Sequence, residues 1–199
     1  MNKKDLILDT MLELLSEKKG ESCSVSDIAK KAGIAKGGMY YYFKSKEEVL
    51  DALVERTYQT IIDDCQKIAS ADGKNAIEKL KHLYIHYRSS IISSDFDAYL
   101  HKPQNAGIHQ KSLAKILTSL SPIIAQIIEQ GNEEGVFHCT YPLELSETIL
   151  SVFCFLFDPG IFTWTPEQME RKLTILVSIL ESGLGVPKGC IDFLNNSYR

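Results

Sequence analysis

No two cysteines in this chain have the spacing of a metal ribbon or a redox motif. The five present, Cys23, Cys65, Cys139, Cys154 and Cys190, are odd in number and scattered. That argues against a disulfide framework and a zinc ribbon, and it fits a reducing compartment. No uninterrupted apolar run approaches the roughly 20 residues of a membrane span. The opening MNKKDLILDT soon meets Asp9, Glu13 and Glu17, which is too polar for a secretory signal. A cytoplasmic protein without a membrane partner is expected. Strand-like alternation, internal repeats and low-complexity segments are absent. So are GxSxG, the P-loop and HExxH. No catalytic residue is assigned, and an enzyme is not expected.

What remains is ordinary globular material, 44% hydrophobic and 24% charged, which can bury a core. The net charge of −4 is unevenly placed. Residues 1–50 carry nine Lys/Arg against eight Asp/Glu, and residues 51–199 carry thirteen against eighteen. Between Ile28 and Lys46 stand five lysines and no acid. A local basic patch on an acidic body meets the requirement of phosphate contact, for which total charge is not the test.

Nearly every segment reads as helix. Residues 4–19 put Leu8, Met11, Leu12 and Leu15 on one face, with Gly20 as a stop. Ser24 reads as an N-cap with Asp27 three residues on. A short helix then ends at Gly33, and a second runs from about Lys36 to Phe43. Ser45 caps a long helix, Lys46 to Ala69, with Glu47 and Glu48 in its first turn. Ile77, Leu80, Tyr84, Tyr87 and Ile91 mark the next helix. A short helix follows from Asp95 to His101, then a loop at 105–107. A long helix at 109–130 should be kinked or split by Pro122, and a turn is expected at 131–135. Helices at 143–157 and 166–184 complete the chain. The first of these is apolar on nearly every side in its second half, so it needs a second cover.

The two short helices carry the functional signal. Ile28, Ala29, Ala32, Gly33, Ile34 and Met39 have the spacing of a helix-turn-helix: a small Ala29 for close approach, Gly33 for the turn, and Ile28, Ile34 and Met39 for the core between them. The continuation SVSDIAKKAGIAKGGMYYYFKSKEEVLDAL, residues 24–53, resembles the N-terminal domain of the tetracycline-repressor (TetR) family of transcriptional regulators. The likeness covers about residues 6–53. It rests on the capping serine, the Ile-Ala pair, the Ala-Gly-Ile turn, the Tyr-x-Tyr-Phe ending and the Lys-Ser-Lys-Glu-Glu start of the next helix.

The resemblance implies an all-α chain: a three-helix DNA-binding domain at 1–46, and a helical effector-binding and dimerisation domain at 47–199. It implies that the second short helix enters the major groove of a palindromic operator in double-stranded DNA. Gly37 and Gly38 would then let the backbone approach DNA, at about 1 kcal/mol each in helix propensity. Tyr40 and Tyr42 match family contacts to phosphate or sugar, and Tyr41 a more variable position. Lys36 stands where the family reads a base, and guanine is its expected partner. Lys44 and Lys46 face phosphate, and Ser24 and Ser26 touch backbone or a base edge. Many members have Ser or Thr where Ala35 and Gly38 stand here, so shape readout should weigh more. Aromatic packing between the two domains is the competing reading of the tyrosines.

The larger domain matches the family only in layout. Its expected effector is a small apolar or amphipathic molecule, with no resident cofactor. Tyr84, Tyr87, Phe96, Tyr99, His109, Phe153 and Phe157 are the pocket candidates, with His101 and Trp164 nearby in sequence. Each is equally readable as plain core. For a homodimer, Leu150, Cys154, Leu173, Leu176, Val177 and Leu180 are the interface candidates. His82 and His86, at i and i+4, could hold a metal, but a third ligand is missing, and no metal is assigned. The alternative function is a protein that keeps this fold and acts mainly through protein–protein contact.

Overall fold

Most helices begin where the sequence supplies an oxygen to cap them. A computed structural model describes residues 2–17, 19–20, 22–92 and 95–198. In helix α1, Lys3–Ser16, the Asn2 side chain accepts from Asp5 N at 2.8 Å. Helix α2, Val25–Lys31, starts at Ser24, and helix α3 spans Lys36–Tyr42. Helix α4 covers Lys46–Ala69, with Ser45 Oγ accepting from Glu48 N at 3.2 Å. Helix α5, Ala76–Ile92, opens on a reciprocal Asn75–Glu78 pair. Helix α6 is short, Asp95–Leu100, and a 3-10 turn at Pro103–Asn105 leads into α7, Ala106–Glu133. Helices α8, Pro142–Leu156, and α9, Pro166–Leu184, follow, and a 3-10 turn at Asp192–Tyr198 packs on α9 and α5. Among the described residues there is no strand.

Four expectations change. In α1, Leu12 lies outside and Ile7 and Leu14 take its place in the core. The expected loop at 105–107 is already helix from Ala106. Pro122 does not split α7: the lost N–H costs one bond, while Ile116, Leu120, Ile123, Ile127 and Ile128 on that helix are all buried. The turn expected at 131–135 begins only after Glu133 and is completed by Gly135 at φ 71°. By length and composition, Pro103–Glu133 could cross a membrane, but its isoleucine and leucine face is core.

The chain forms two compact units, and residue 46, the expected boundary, lies within the first. One joins Met1–Gln59 to Ser93–Ser112; the other joins Thr60–Ile92 to Leu113–Arg199. The reason lies in the first unit. Helix α6 packs on α1, burying Phe96 and Leu100, and Lys111 of α7 pairs with Asp51 of α4 at 2.7 Å. Arg56 of α4 meets Asp9 of α1 at 2.8 Å. The second unit has its own core, which includes Leu120, Ile127, Ile128, Phe137 and Leu173.

Candidate nucleic-acid interface

The first unit presents α3 on a firm base. Ser24 and Asp27 form a full capping box: Ser24 N donates to Asp27 Oδ2 at 2.8 Å, and Asp27 N donates to Ser24 Oγ at 3.2 Å. These bonds hold the Asp27 carboxyl below its usual range. The Ser24 hydroxyl also donates to Asp27 Oδ2 at 2.7 Å, and the residue stays exposed. Ser26, half-buried, keeps the opening of α2 for contact. Gly33 turns the chain at φ 67°, with Ile34 N bonded to Ala29 O at 3.0 Å. Ile28, Ala29, Met39 and Phe43 are buried between the helices.

With Met39 and Phe43 turned inward, the rest of α3 faces out. Tyr40 is 45% exposed, Tyr41 82% and Tyr42 36%. Tyr41 and Tyr42 meet edge to face with ring centroids 5.0 Å apart, and the Lys36 ammonium lies 6.0 Å from the Tyr40 ring centroid. Lys36, Gly37 and Lys44 are exposed; Gly38 and Lys46 are half-buried. Six of the ten predicted DNA-contact residues, Lys36, Gly37, Gly38, Tyr40, Tyr41 and Tyr42, thus form one ridge on α3, while Ser24 and Ser26 open α2. Lys31, counted in the basic patch, is neutralised by Glu17 and Glu13 of α1; its hydrogen bond with Glu17 raises the Lys31 pKa and, with that from Lys19, lowers that of Glu17. Sequence spacing alone gives no sign of that pairing across fourteen residues.

Gly37 and Gly38 are the informative pair. A Cβ built on either meets nothing within 4 Å, and neither has a positive φ. Among the described residues, none stands close enough to require glycine there. Ala35, the N-cap of α3, offers no side-chain hydrogen bond. A seven-residue helix that lacks a cap and carries two glycines is intrinsically weak. The open backbone leaves room for a surface that is not part of the chain.

The other candidates are placed less coherently. Phe96, Tyr99 and His109 are buried in the first unit. Tyr84, Tyr87, Phe153 and Phe157 lie in the second, where the Phe153 and Phe157 rings stand 5.3 Å apart. The dimer candidates need correction. Leu150, Leu173, Leu176 and Val177 are buried inside the protomer, because the α8 and α9 stripes pack inward, and only Cys154 and Leu180 are half-buried. The apolar residues left outside on these helices are Leu143, Phe155, Ile175 and Ile179, the last three more than half exposed. His82 and His86 diverge: His82 Nδ1 lies 2.8 Å from Lys74 Nζ, and His86 Nε2 lies 3.8 Å from Asp64 Oδ2.

Comparison with known proteins agrees with this geometry. Residues 7–53 match the family described as bacterial regulatory proteins, tetR family, and residues 90–179 match the tetracyclin repressor-like C-terminal domain. Over 185 residues the chain is 26% identical to the fatty acid metabolism regulator protein of Bacillus subtilis (strain 168), covering 88% of this chain and 90% of that one. It is 23% identical to the HTH-type transcriptional repressor KstR2 of Mycobacterium tuberculosis over 177 residues, 83% of this chain and 80% of the relative. The fold is shared with Thermus thermophilus FadR in complex with lauroyl-CoA, with TM-score 0.63, 19% identity and coverage of 94% and 97%. It is shared too with a TetR/AcrR regulator from Thermobifida fusca YX-ER1, with TM-score 0.61, 22% identity and 98% of each chain covered.

Proposed function

We propose, from the premise that this chain belongs to the tetracycline-repressor (TetR) family of transcriptional regulators, that it represses transcription as a homodimer on a palindromic operator. The observation that carries the reading is the α3 ridge: tyrosines and lysines outward, Met39 and Phe43 anchoring inward, and an open glycine backbone between them. Lys44 and Lys46 hold phosphates, the tyrosine hydroxyls add phosphate or sugar contacts, and Lys36 reads guanine O6 or N7. Two such helices meet successive major grooves on one face of the duplex.

Release follows from a population shift. A small amphipathic effector favours a conformer in which α6 is displaced and α4 swings, so the two heads leave groove spacing. Contacts within the first unit supply the coupling: α6 packs on α1, and Lys111 is paired with Asp51 of α4. The relatives named for fatty acid metabolism and for a lauroyl-CoA complex make acyl chains with a polar head the first effector class to test.

The test is selection of bound sequences from random duplex DNA, with the Tyr40→Ala, Lys46→Ala double variant as control. The expected result is a palindromic motif that the variant fails to recover. Loss of the Lys46 contact from both protomers should also lower the salt slope of binding by about two. Sequence-indifferent binding that vanishes at physiological salt would overturn the reading and turn attention to a protein partner. An acyl-CoA that binds without weakening the operator complex would overturn the release mechanism alone.

A further inference from the structure

The fold brings together two histidines that sequence spacing does not pair. His101 follows the end of α6 and His109 lies in the first turn of α7. Their rings meet edge to face at 82°, centroids 4.7 Å apart, and each offers a ring nitrogen within 4.8 Å of the other. The bend between them is pinned. Asn105, buried, donates from Nδ2 to Tyr99 O at 2.6 Å, and Lys102 N donates to the same carbonyl at 3.2 Å. His109 is held inside at 8% exposure. On its other side, His101 Nδ1 stands 3.3 Å from Asp97 Oδ2. A carboxylate at that distance can set the ring's orientation.

We propose that His101 and His109 bind a divalent first-row transition metal, with Asp97 as the positioning residue of His101. Imidazole pairs suit zinc, nickel, cobalt and copper, whereas magnesium and calcium take oxygen donors. Tetrahedral bonds of about 2 Å would set the two nitrogens roughly 3.3 Å apart, which small ring rotations supply. A carboxylate behind a ligating histidine is the outer-shell arrangement that raises ligand basicity and fixes the tautomer. The remaining coordination positions go to water or to a donor atom of a bound small molecule. His101, His109 and Asp97 all lie in one compact unit, and the site does not depend on the DNA reading.

Cobalt(II) titration of the full-length, chelator-treated protein tests this. The expected result is one cobalt per chain with visible ligand-field bands and no thiolate charge-transfer band. His101→Gln and His109→Gln should each abolish stoichiometric uptake, while His82→Gln keeps it. Asp97→Asn should weaken binding by about 10–100-fold. Thermal melting in chelator shows whether each variant folds, and either histidine variant alone decides the question. No stoichiometric uptake, uptake unchanged in either folded histidine variant, or a thiolate band overturns the proposal.

Discussion

Helices α3 and α9 are built by opposite rules. Helix α9 is nineteen residues long, has Pro166 at its first position and is opened by a Thr165–Gln168 capping box, with Gly185 closing it at φ 69°. Its inner stripe of Leu173, Leu176, Val177 and Leu184 is buried. Its caps and apolar spacing agree with the helix it forms. Helix α3 has seven residues, no side-chain cap and two glycines, and it buries only Met39. Such conflict between local preference and final structure is expected where function imposes it. What α3 lacks in intrinsic stability is supplied by neighbours: α2 packs against it, and Phe43 anchors its end. The residues it turns outward, Tyr40, Tyr41 and Tyr42 among them, are not part of the core.

The largest test of this contrast concerns the one respect in which α9 also breaks a rule, its exposed Ile175 and Ile179. If these seal a two-fold interface, Ile175→Glu with Ile179→Glu gives a folded monomer by sedimentation. Its operator affinity should fall by about 10²–10⁴-fold, because one recognition helix no longer tethers the other. A variant that stays dimeric would move the interface elsewhere.

Next come the glycines, which should respond with opposite signs. Gly33→Ala forces a side chain to φ 67° and should destabilise the protein by about 1–2 kcal/mol in urea unfolding. Gly37→Ala meets no neighbour and should stabilise it by about 0.5–1 kcal/mol, yet weaken operator binding. A Gly37→Ala protein that binds DNA as tightly as the parent would show that close approach to the backbone is not why glycine stands there.

The caps give a smaller and symmetric pair. Thr165→Ala removes a capping side chain and should cost about 1 kcal/mol. Ala35→Ser adds one to α3 and should gain about 0.5–1 kcal/mol by the same measurement. The two effects together would bring α3 and α9 nearer to the same rules.

Legibility followed the same division. The bounds of α4 and the caps at Ser24 and Ser45 could be read directly, because capping is local chemistry between residues three apart. The helix-turn-helix was legible for the same reason, since Gly33 and the small Ala29 act within a few residues. Tertiary pairing was not. Lys31 counts toward the basic patch, but Glu13 and Glu17 neutralise it from another helix. Ser24 carries two readings, cap and DNA contact, and the folded chain shows the cap. Along α8 and α9, periodicity showed which residues are apolar but not which stripe turns inward, so core was taken for interface. The His101–His109 pair meets across a helix end and a 3-10 turn rather than along one helix, so helical spacing does not reveal it.

The smallest prediction separates two capping boxes whose N3 side chains differ in charge. In α2 the N3 side chain is the Asp27 carboxylate, which titrates; in α9 it is the Gln168 amide, which does not. The Ser24 backbone and side-chain bonds hold the Asp27 pKa below its ordinary value of 3.8. A carboxyl depressed in the folded state contributes stability above the unfolded value, and that stability is lost as pH falls through the folded one. Acidification below about pH 4 should therefore loosen α2 while the α9 cap is unchanged. Amide chemical shifts of Asp27 and Gln168 report the two caps side by side. The Asp27 shift should move through that range and the Gln168 shift should stay. Asp27→Asn keeps a capping acceptor and should flatten the response of α2. If both amides move together, the acid transition is global, and the two helices do not differ in the way their caps imply.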